Sequence, residues 1–470
     1  RGGTVELLMK GDLKQDLIDR MERFLNWNEY RPAFIVRGYA GTGKTTSVGA
    51  LVKTLPKFGW KSVLLAPTGR AAKVLSSFSG KPAFTIHKKI YQVKRGSAGE
   101  MRFSRADNLH TNTVFIVDEA SMISDLSGLS MNSRYDQRSL LDDLVEYVYG
   151  GRNCRLVFIG DIAQLPPVGM DISPALDPAV LKAAYGMSLK GVELREVLRQ
   201  AHDSGILHNA TKLRMNLEEG IAAVKFDLPG FQDIEAITGV ELEDRLQDCY
   251  SAYGEEQTLI ISRSNKRANI FNQQIRARIK FQDSEVSTGD YLMVVKNNYY
   301  WLDADSTAGF IANGDIAEIE SIRGTEEMYG FRFADVTLRL VNYDKEPPLE
   351  AKIILDSILS EFPSLSPEDS QKLFDNVMED YADIPDRRKK YKELKKNPYF
   401  NALQVKFANA ITCHKAQGGQ WKAVFVDQGY ITEEMLDIEF ARWLYTAVTR
   451  ATEKLYLVNF NDMFFDEQYR

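Results

Sequence analysis

Residues Ala33–Lys53 read AFIVRGYAGTGKTTSVGALVK, and this stretch decides the fold class. Its centre, Gly38–Thr45, fits the phosphate-loop pattern G-x-x-x-x-G-K-[ST]. An apolar run typical of a buried strand precedes the loop, and a stretch typical of a helix follows it. The alternative is a glycine-rich turn with a chance lysine, but it does not explain the two flanking elements. We therefore predict a site for a nucleoside triphosphate.

The loop supplies several groups that suit phosphate. Its glycines let successive backbone N–H groups point inward, and the helix N-terminus adds partial positive charge. Lys44 is expected to reach the β- and γ-phosphates, and Thr45 to bind Mg²⁺. The nucleotide-binding residues predicted here are Gly38, Gly41, Thr42, Gly43, Lys44, Thr45 and Thr46.

Composition sets broader limits. The 470 residues are 44% hydrophobic and 26% charged, as in soluble globular proteins, and allow about three or four domains. A net charge of −6 is not typical of strongly basic nucleic-acid binders, although a local basic channel is compatible with it. No apolar run approaches the roughly 18 residues of a membrane span. Cys154, Cys249 and Cys413 lie too far apart in sequence to suggest a metal-ligand pair. We expect a cytoplasmic protein without membrane contacts.

More short apolar runs, rich in β-branched residues, predict further buried parallel strands. These runs are Ser62–Ala66, Thr113–Val117, Arg155–Ile159, Gln257–Ile261, Ala423–Val426 and Leu455–Val458. In doubly wound sheets the ligand lies beyond the carboxyl ends of the strands. Polar residues that directly follow these runs are therefore expected to line the site.

Two of the runs are followed by candidate catalytic residues. Asp118 is expected to hold Mg²⁺, directly or through water, and Glu119 to orient and deprotonate the attacking water. The alternative is an ordinary carboxylate pair at a strand end. Gly160–Val168 reads GDIAQLPPV, in which Gln164 could bond the γ-phosphate or the attacking water. By itself this segment is equally compatible with a proline-rich turn.

The order of the motifs resembles that of the superfamily 1 helicases, in particular the RecD/Dda branch of superfamily 1B. Motifs Ia, Ib, III, IV, V and VI of that family resemble Ala66–Lys73, Thr85–His87, Gly160–Val168, Glu193–Gln200, Ile411–Gly418 and Tyr445–Ala451. Each motif alone is weak, but the ordered set is specific and runs from the phosphate loop nearly to the C-terminus. The sequence QLPP within motif III distinguishes the chain from the 3′→5′ branch. A Pif-type signature helix is not evident.

The resemblance implies an α/β fold with two RecA-like parallel-sheet lobes, a short hairpin insertion, and an SH3-like β-barrel insertion that carries a helical extension. The spacing of the motifs supports this division. Lobe 1A is expected at 1–87 and 113–200 and the hairpin insertion 1B at 88–112. Lobe 2A is expected at 201–276 and 405–470 and the barrel insertion 2B at 277–404.

ATP is expected in the cleft between the two lobes. Arg199 and Arg450 would reach the γ-phosphate, where a positioned arginine stabilises transition-state charge. Either could instead be a surface salt-bridge residue. The resemblance further implies that Gln417 relays between nucleotide and DNA. Gln15 is the best candidate for the glutamine that reads adenine, although the residues around it match that N-terminal motif only weakly.

The resemblance places single-stranded DNA on Pro67, Thr68, His87, His414 and Lys415. In an arbitrary protein the two histidines would instead be packed core residues, and that alternative stays open.

The hairpin insertion 1B occupies the position of the family's strand-separating pin. Within it, Phe103 is the aromatic residue that could stack on the last base pair, or it could be a satellite core contact.

The barrel insertion 2B shows alternating apolar and polar residues with turns at Lys296–Asn298 and Asn313–Asp315. Tyr299–Trp301 could stack on bases or fill the barrel core. Further along, Ser366 is a good helix N-cap with proline after it. The basic run Arg387–Lys390 could contact phosphates or form a solvated helix face.

The sequence therefore predicts an ATP- and Mg²⁺-dependent helicase that moves 5′→3′ on single-stranded DNA and opens duplex junctions. A monomer is expected, with replication or recombination proteins as candidate partners. Two alternatives remain. One is a superfamily 1 RNA helicase. The other is a phosphate-loop switch protein that does not translocate, although such a protein should lack motifs Ia, V and VI.

Overall fold

The computed structural model describes residues 5–8, 13–95, 101–125, 138–195, 203–303 and 305–466. Within these ranges the strands form two parallel sheets, a closed barrel and a two-stranded hairpin.

The N-terminal lobe (lobe 1) is built on a seven-stranded parallel sheet. Its elements are β1 (Val5–Leu8), α1 (Leu13–Leu25), β2 (Pro32–Gly38), α2 (Lys44–Thr54), β3 (Lys61–Ala66), α3 (Gly69–Ser79), β4 (Ala83–Thr85), α4 (Ile86–Ile90), β5 (Tyr91–Arg95), β6 (Met101–Arg105), β7 (Thr111–Val117), α5 (Leu140–Tyr149), β8 (Arg152–Gly160), α6 (Pro178–Tyr185) and β9 (Ser188–Leu194). The strand order is β1-β9-β2-β8-β7-β3-β4, and every pairing is parallel.

Continuous apolar runs form these strands because both faces of the sheet are buried. In β2, Phe34 and Val36 pack with α1, α2 and α3 on one face, whereas Ala33 and Ile35 pack with α5 and α6 on the other. The layout leaves the carboxyl ends of the central strands, followed by polar segments, as the place for a ligand.

The remaining elements follow in chain order. They are α7 (Gly205–Glu218), β10 (Ile234–Ile237), α8 (Gly239–Tyr253), β11 (Thr258–Ser262), α9 (Asn265–Gln274), β12 (Tyr291–Val294), β13 (Ile316–Met328), β14 (Phe331–Leu340), β15 (Leu349–Ile354), α10 (Pro367–Met378), α11 (Arg387–Lys395), β16 (Leu403–Phe407), β17 (Ala410–Thr412), α12 (Cys413–Ala416), β18 (Trp421–Asp427), α13 (Ile438–Val448) and β19 (Ala451–Val458). The second parallel sheet, in order β10-β19-β18-β11-β17, forms the other lobe (lobe 2).

The insertion in lobe 2 is a closed five-stranded barrel of β12–β16 that carries α10 and α11 between β15 and β16. The predicted boundary at 404/405 falls inside β16, which closes the barrel by pairing with β12. The barrel therefore extends to Phe407, and the lobe 2 sheet resumes at Ala410. The predicted cap is confirmed, since the Ser366 side chain accepts a hydrogen bond from Asp369 N–H at the start of α10.

In the predicted pin, β5 and β6 pair antiparallel, with Val93 opposite Phe103. The side chain of Phe103 lies outside the described residues, as does all of Arg199.

The predicted fold class is confirmed by the two parallel-sheet lobes and the closed barrel. The three cysteines are buried and unpaired. In the described part of the chain, every helix is too short or too polar to cross a bilayer.

Candidate nucleotide cleft and nucleic-acid face

A cavity of about 450 Å³ lies between the two lobes, beyond the carboxyl ends of β2, β7 and β8. Lobe 1 contributes the phosphate loop, Asp118, Glu119, Asp161 and Gln164 to its walls. Lobe 2 contributes the start of α7 and the segment 449–452. The cavity therefore exists only because both lobes face each other.

The phosphate loop depends on its glycines. Gly41 and Gly43 have φ values of 74° and 96°, which other residues rarely adopt. A Cβ on Gly38 would lie 2.4 Å from Cγ of Lys44, so this position admits only glycine while Lys44 folds over it. Thr42 differs from its prediction, because its buried hydroxyl bonds N and O of Tyr39 and does not line the cavity. Thr42 shapes the loop.

The side chain of Lys44 is held by two lobe 1 acceptors. Its Nζ donates to Gly38 O at 3.1 Å and lies 3.6 Å from Oδ2 of Asp161. Asp161 is almost fully buried directly after β8. In its segment, Gly160–Val168, only Gln164 was predicted to be functional. A carboxylate that directly follows a buried strand is the sequence signal that could have identified Asp161.

The two acidic residues after β7 both line the cavity. Oδ1 of Asp118 accepts a hydrogen bond from Glu119 N–H at 2.8 Å. Burial, and next the neighbouring carboxylate of Glu119, raise the pKa of Asp118 to about 7. Glu119 itself has φ 53°, a left-handed conformation that is costly for a residue with a side chain. Glu119 in this conformation lines the cavity.

A nucleotide and its cation fit the polar groups of this cavity. Thr45 and Asp118, the predicted Mg²⁺ ligands, both line it, and a cation between them would favour the charged form of Asp118. Oε1 of the buried Gln164 has no hydrogen-bond partner among the described residues. Buried acceptors are normally satisfied, so this oxygen is suited to accept a hydrogen bond from a ligand or a water in the cleft.

Two side chains of lobe 2 form hydrogen bonds with the segment that carries Gln164. Leu165 N donates to Oγ1 of Thr446 at 2.8 Å, and Leu165 O accepts from Nε2 of Gln417 at 2.6 Å. Gln417, predicted to bind ATP and to relay between nucleotide and DNA, therefore contacts the neighbour of Gln164 and is not among the residues that line the cavity.

Arg450 lines the cavity from lobe 2. Its guanidinium donates to Thr446 O, Gly419 O and Oγ1 of Thr449, all within its own lobe. These acceptors are neutral, and among the described residues no carboxylate forms an ion pair with Arg450.

Gln15 is not among the residues that line the cavity. It is exposed on α1, where its amide donates to Oδ1 of Asp19. Its role in reading adenine stays a prediction.

Motifs Ia and V, which carry predicted DNA-binding residues of the two lobes, meet near the start of α3. Thr68 caps α3 by accepting a hydrogen bond from Ala71 N–H, and Pro67 precedes it. A Cβ on Gly418 of lobe 2 would lie 3.4 Å from Oγ1 of Thr68. Motifs Ia and V are thus in contact.

His87 lies between lobe 1 and the barrel. Its ring centroid is 5.4 Å from that of Phe310, which stacks on Tyr299 at 4.8 Å. Burial lowers the pKa of His87 to about 4, so the ring is neutral at pH 7. Nε2 of His87 has no hydrogen-bond partner among the described residues. The surroundings of His87 are those of a packed core histidine. A neutral ring is suited to stacking rather than to ion pairing.

The barrel also contacts the lysines next to the predicted DNA residues. Lys88 donates to Ser306 O at 2.8 Å, and Lys415 donates to Oδ1 of Asn313 at 2.5 Å. Burial lowers the pKa of Lys415 to about 8. His414 beside it is exposed.

The barrel approaches α3 closely at a position that the sequence did not reveal. A Cβ on Gly69 would lie 2.6 Å from the hydroxyl of Tyr343 and 3.1 Å from Oδ1 of Asp315. Only glycine at the first position of α3 permits this contact.

The three candidate stacking residues of the barrel are engaged inside the insertion. Tyr299 is buried, Tyr300 donates to Lys396 O, and Trp301 donates to Asn401 O. Arg387, Arg388 and Lys389 at the start of α11 are exposed, which is compatible with both a solvated helix face and a contact with phosphates.

Comparison with known proteins agrees with this geometry. Residues 27–227 match the AAA domain family, and residues 407–458 match the UvrD-like helicase C-terminal domain. The ATP-dependent DNA helicase dda of Enterobacteria phage T4 is 26% identical over 456 residues, which cover 90% of this chain and 93% of that protein.

The chain belongs to superfamily 1B of the helicases. The resemblance predicted from motif order is thereby confirmed. The two family matches place the phosphate loop in one domain and motifs V and VI in the other, on the two sides of the cleft.

Two further proteins are similar to this helicase. The ATP-dependent RecD2 DNA helicase of Deinococcus radiodurans is 28% identical over 176 residues, or 37% of this chain and 21% of that protein. The crystal structure of Pif1 helicase from Candida albicans superposes with a TM-score of 0.44 at 15% identity, over 97% of this chain and 96% of that chain.

Proposed function

We propose that this superfamily 1B helicase hydrolyses ATP with Mg²⁺ between its lobes, moves 5′→3′ along single-stranded DNA and unwinds duplex DNA. The observation that carries the proposal is the cleft itself, in which groups of both lobes line one cavity. The similarity to a phage DNA helicase over nearly the whole chain supports DNA as the substrate.

In the proposed hydrolysis, Lys44 gives up its hydrogen bond to Gly38 O and binds the β- and γ-phosphates while it stays beside Asp161. Mg²⁺, held by Thr45 and Asp118, would neutralise phosphate charge. Glu119 takes a proton from the attacking water, and the free acceptor of Gln164 orients that water. Arg450 then stabilises the charge that develops on the γ-phosphate.

Coupling between hydrolysis and movement has a direct route through Leu165. Gln417 and Thr446 of lobe 2 hold its two backbone groups, and Gln164 beside it lines the cavity. A change at the γ-phosphate therefore shifts a segment that lobe 2 already grips. Alternate closing and opening of the lobes moves the chain along a strand if its grips on DNA alternate.

We propose that the DNA strand runs over the start of α3, α4 and α12. Thr68, His87, His414 and Lys415 lie on these elements, and they come from both lobes. The hairpin β5–β6 is proposed to be the pin that separates the strands, with Phe103 at the junction. Replication or recombination proteins remain candidate partners, and a monomer is the proposed active form.

Unwinding of tailed duplexes tests the proposal. A duplex with a 5′ single-stranded tail should be unwound with ATP and Mg²⁺, whereas one with only a 3′ tail should not. Glu119→Gln, which keeps the shape of the side chain but removes the base, serves as the inactive control. Preferential unwinding from the 3′ tail would contradict the direction.

The same assay separates the two alternatives. An RNA helicase would show ATPase stimulation by single-stranded RNA equal to or above that by single-stranded DNA. A non-translocating switch would hydrolyse ATP slowly without stimulation by either. Strong stimulation by DNA alone is the result that we expect.

A further inference from the structure

Tyr445 of lobe 2 reaches across the cleft to the phosphate loop of lobe 1. It lies on α13 and is completely buried. Its hydroxyl accepts a hydrogen bond from Ala40 N–H at 2.9 Å and donates one to Oδ2 of Asp161 at 2.5 Å. A single oxygen of lobe 2 thus joins two functional segments of lobe 1.

Asp161 extends this link to the phosphate-loop lysine. Its Oδ1 accepts from Ala163 N–H at 2.9 Å, which fixes the orientation of the carboxylate. Its Oδ2, which receives the proton of Tyr445, also lies 3.6 Å from Nζ of Lys44. Contacts from Tyr445 to Asp161 and from Asp161 to Lys44 therefore connect α13 with the ammonium group that is proposed to bind the γ-phosphate.

The hydroxyl of Tyr445 has one proton, which it donates to the carboxylate of Asp161. Burial raises the pKa of Tyr445 well above its usual value, and the nearby charge of Asp161 raises it further, so the hydroxyl stays protonated. Because it gives its proton to Asp161, its oxygen lone pairs remain available to Ala40 N–H. Phenylalanine would keep the ring and lose both bonds.

The same helix ends beside Arg450. Arg450 N donates to Ala447 O, so the backbone that positions this arginine continues directly from α13. A displacement of Tyr445 relative to the phosphate loop would displace Arg450 relative to the same phosphate.

We propose that Tyr445 is a positioning residue for ATP hydrolysis, which holds α13 against the phosphate loop and holds Asp161 as the partner of Lys44. It presents Lys44 and Arg450 to one phosphate in a fixed relation. This role deepens the proposed ATPase function and rests on it.

Steady-state ATPase assays with single-stranded DNA test this role in Tyr445→Phe. We expect kcat to fall about tenfold or more with KM for ATP within about twofold, because the loss concerns the geometry of the transition state. The melting temperature should stay close to that of the wild type, since the ring is kept.

The matched control is Tyr185→Phe. The hydroxyl of Tyr185 donates to Oδ1 of Asp142 at 2.6 Å, the same chemistry within lobe 1 and away from the cleft. This variant should keep the wild-type kcat.

A double-mutant cycle with Asp161→Asn tests the route. If Tyr445 acts through Asp161, the double variant should be no slower than the slower single variant, whereas independent roles would multiply the two losses.

Three results would overturn the inference. These are a kcat of Tyr445→Phe near that of the wild type, an equal loss in the control, and a loss of activity that follows a lowered melting temperature. Failure of the wild-type chain to hydrolyse ATP would instead overturn the proposed function itself.

Discussion

Lobe 1 makes two contacts of different kinds. Across the cleft, lobe 2 bonds backbone groups of Ala40 and Leu165, which belong to the nucleotide-binding segments. On the side of lobe 1 that carries Pro67, Thr68 and His87, the barrel contacts His87 and two neighbours of these predicted DNA-binding residues, Gly69 and Lys88. Under the proposed function, the first contact would respond to ATP and the second to DNA.

The chemistry of the second contact suits replacement by DNA. Lys88 of lobe 1, and likewise Lys415 of lobe 2, are held by a carbonyl and an amide oxygen of the barrel, both of them neutral acceptors. A phosphate forms stronger, charge-assisted hydrogen bonds with lysine. DNA can therefore compete for these lysines, whereas the cleft contact bonds backbone groups of Ala40 and Leu165 and the carboxylate of Asp161, all on the nucleotide side of lobe 1.

The largest effect is expected from a variant that changes only the nucleotide side of lobe 1. Lys44→Ala removes the charge that binds the γ-phosphate, so ATP turnover should be abolished. Binding of single-stranded DNA without nucleotide should persist, because Lys44 lies on the cleft side of lobe 1. ATPase assays and fluorescence anisotropy with labelled DNA measure the two properties. Parallel loss of both would show that the two contacts are not separate.

Arg450→Ala should lower kcat far more than it weakens ATP binding. A positioned arginine contributes on the order of 10³-fold to phosphoryl transfer in favourable systems. The guanidinium also holds Thr446 O and Gly419 O, so Arg450→Lys, which keeps a cation but not the fork, is the matched variant. We expect it to be slow as well. An unchanged kcat in Arg450→Ala would make this arginine a structural residue.

Gly69→Ala tests the barrel contact. The new methyl group would lie 2.6 Å from the hydroxyl of Tyr343, so the barrel must move away from α3. We expect single-stranded DNA to associate several-fold faster while ATPase without DNA stays unchanged. Stopped-flow fluorescence measures the association rate.

Gly324→Ala is the control for this variant. It adds the same methyl group within β13, where nothing lies within 4 Å. An association rate that is the same in Gly69→Ala and in the wild type would show that the barrel does not restrict access.

The sequence predicted the cleft much better than the barrel contact, for a physical reason. A phosphate loop, an acidic pair after a strand and an arginine after a helix are local patterns whose chemistry demands those residue types. The contact of Asp315 and Tyr343 with Gly69 joins residues about 250 or more positions apart, and each looks ordinary in its own segment.

Other differences have the same origin. The barrel boundary was placed before the end of β16 because the pairing of β16 with β12 spans more than 100 residues. The role of Thr42 in shaping the loop and the exposed position of Gln15 also depend on surroundings that no local pattern records. Asp161 and Tyr445 lie inside recognised motifs, but their proposed role depends on the hydrogen bond between them across the two lobes, which no local pattern predicts.

The smallest effect concerns the pH dependence of the barrel contact. Burial raises the pKa of Asp315 from 3.8 to about 7, and the hydrogen bond from Ala312 N–H opposes this only in part. The folded protein therefore favours the protonated carboxyl group. Its contribution to stability is complete below about pH 3.8 and is lost as pH rises towards 7, after which it stays constant.

Asp315→Asn should remove this dependence, since an amide of the same shape keeps an oxygen for Ala312 N–H and does not ionise. The melting temperature of the variant minus that of the wild type should increase by a few degrees between pH 5 and pH 7 and then level off. Asp344→Asn, at an exposed position of the same contact with Lys73, controls for the removal of a carboxylate. A difference that is constant with pH, or that shrinks as pH rises, would contradict the expected sign and with it the burial of a carboxyl group between barrel and lobe 1.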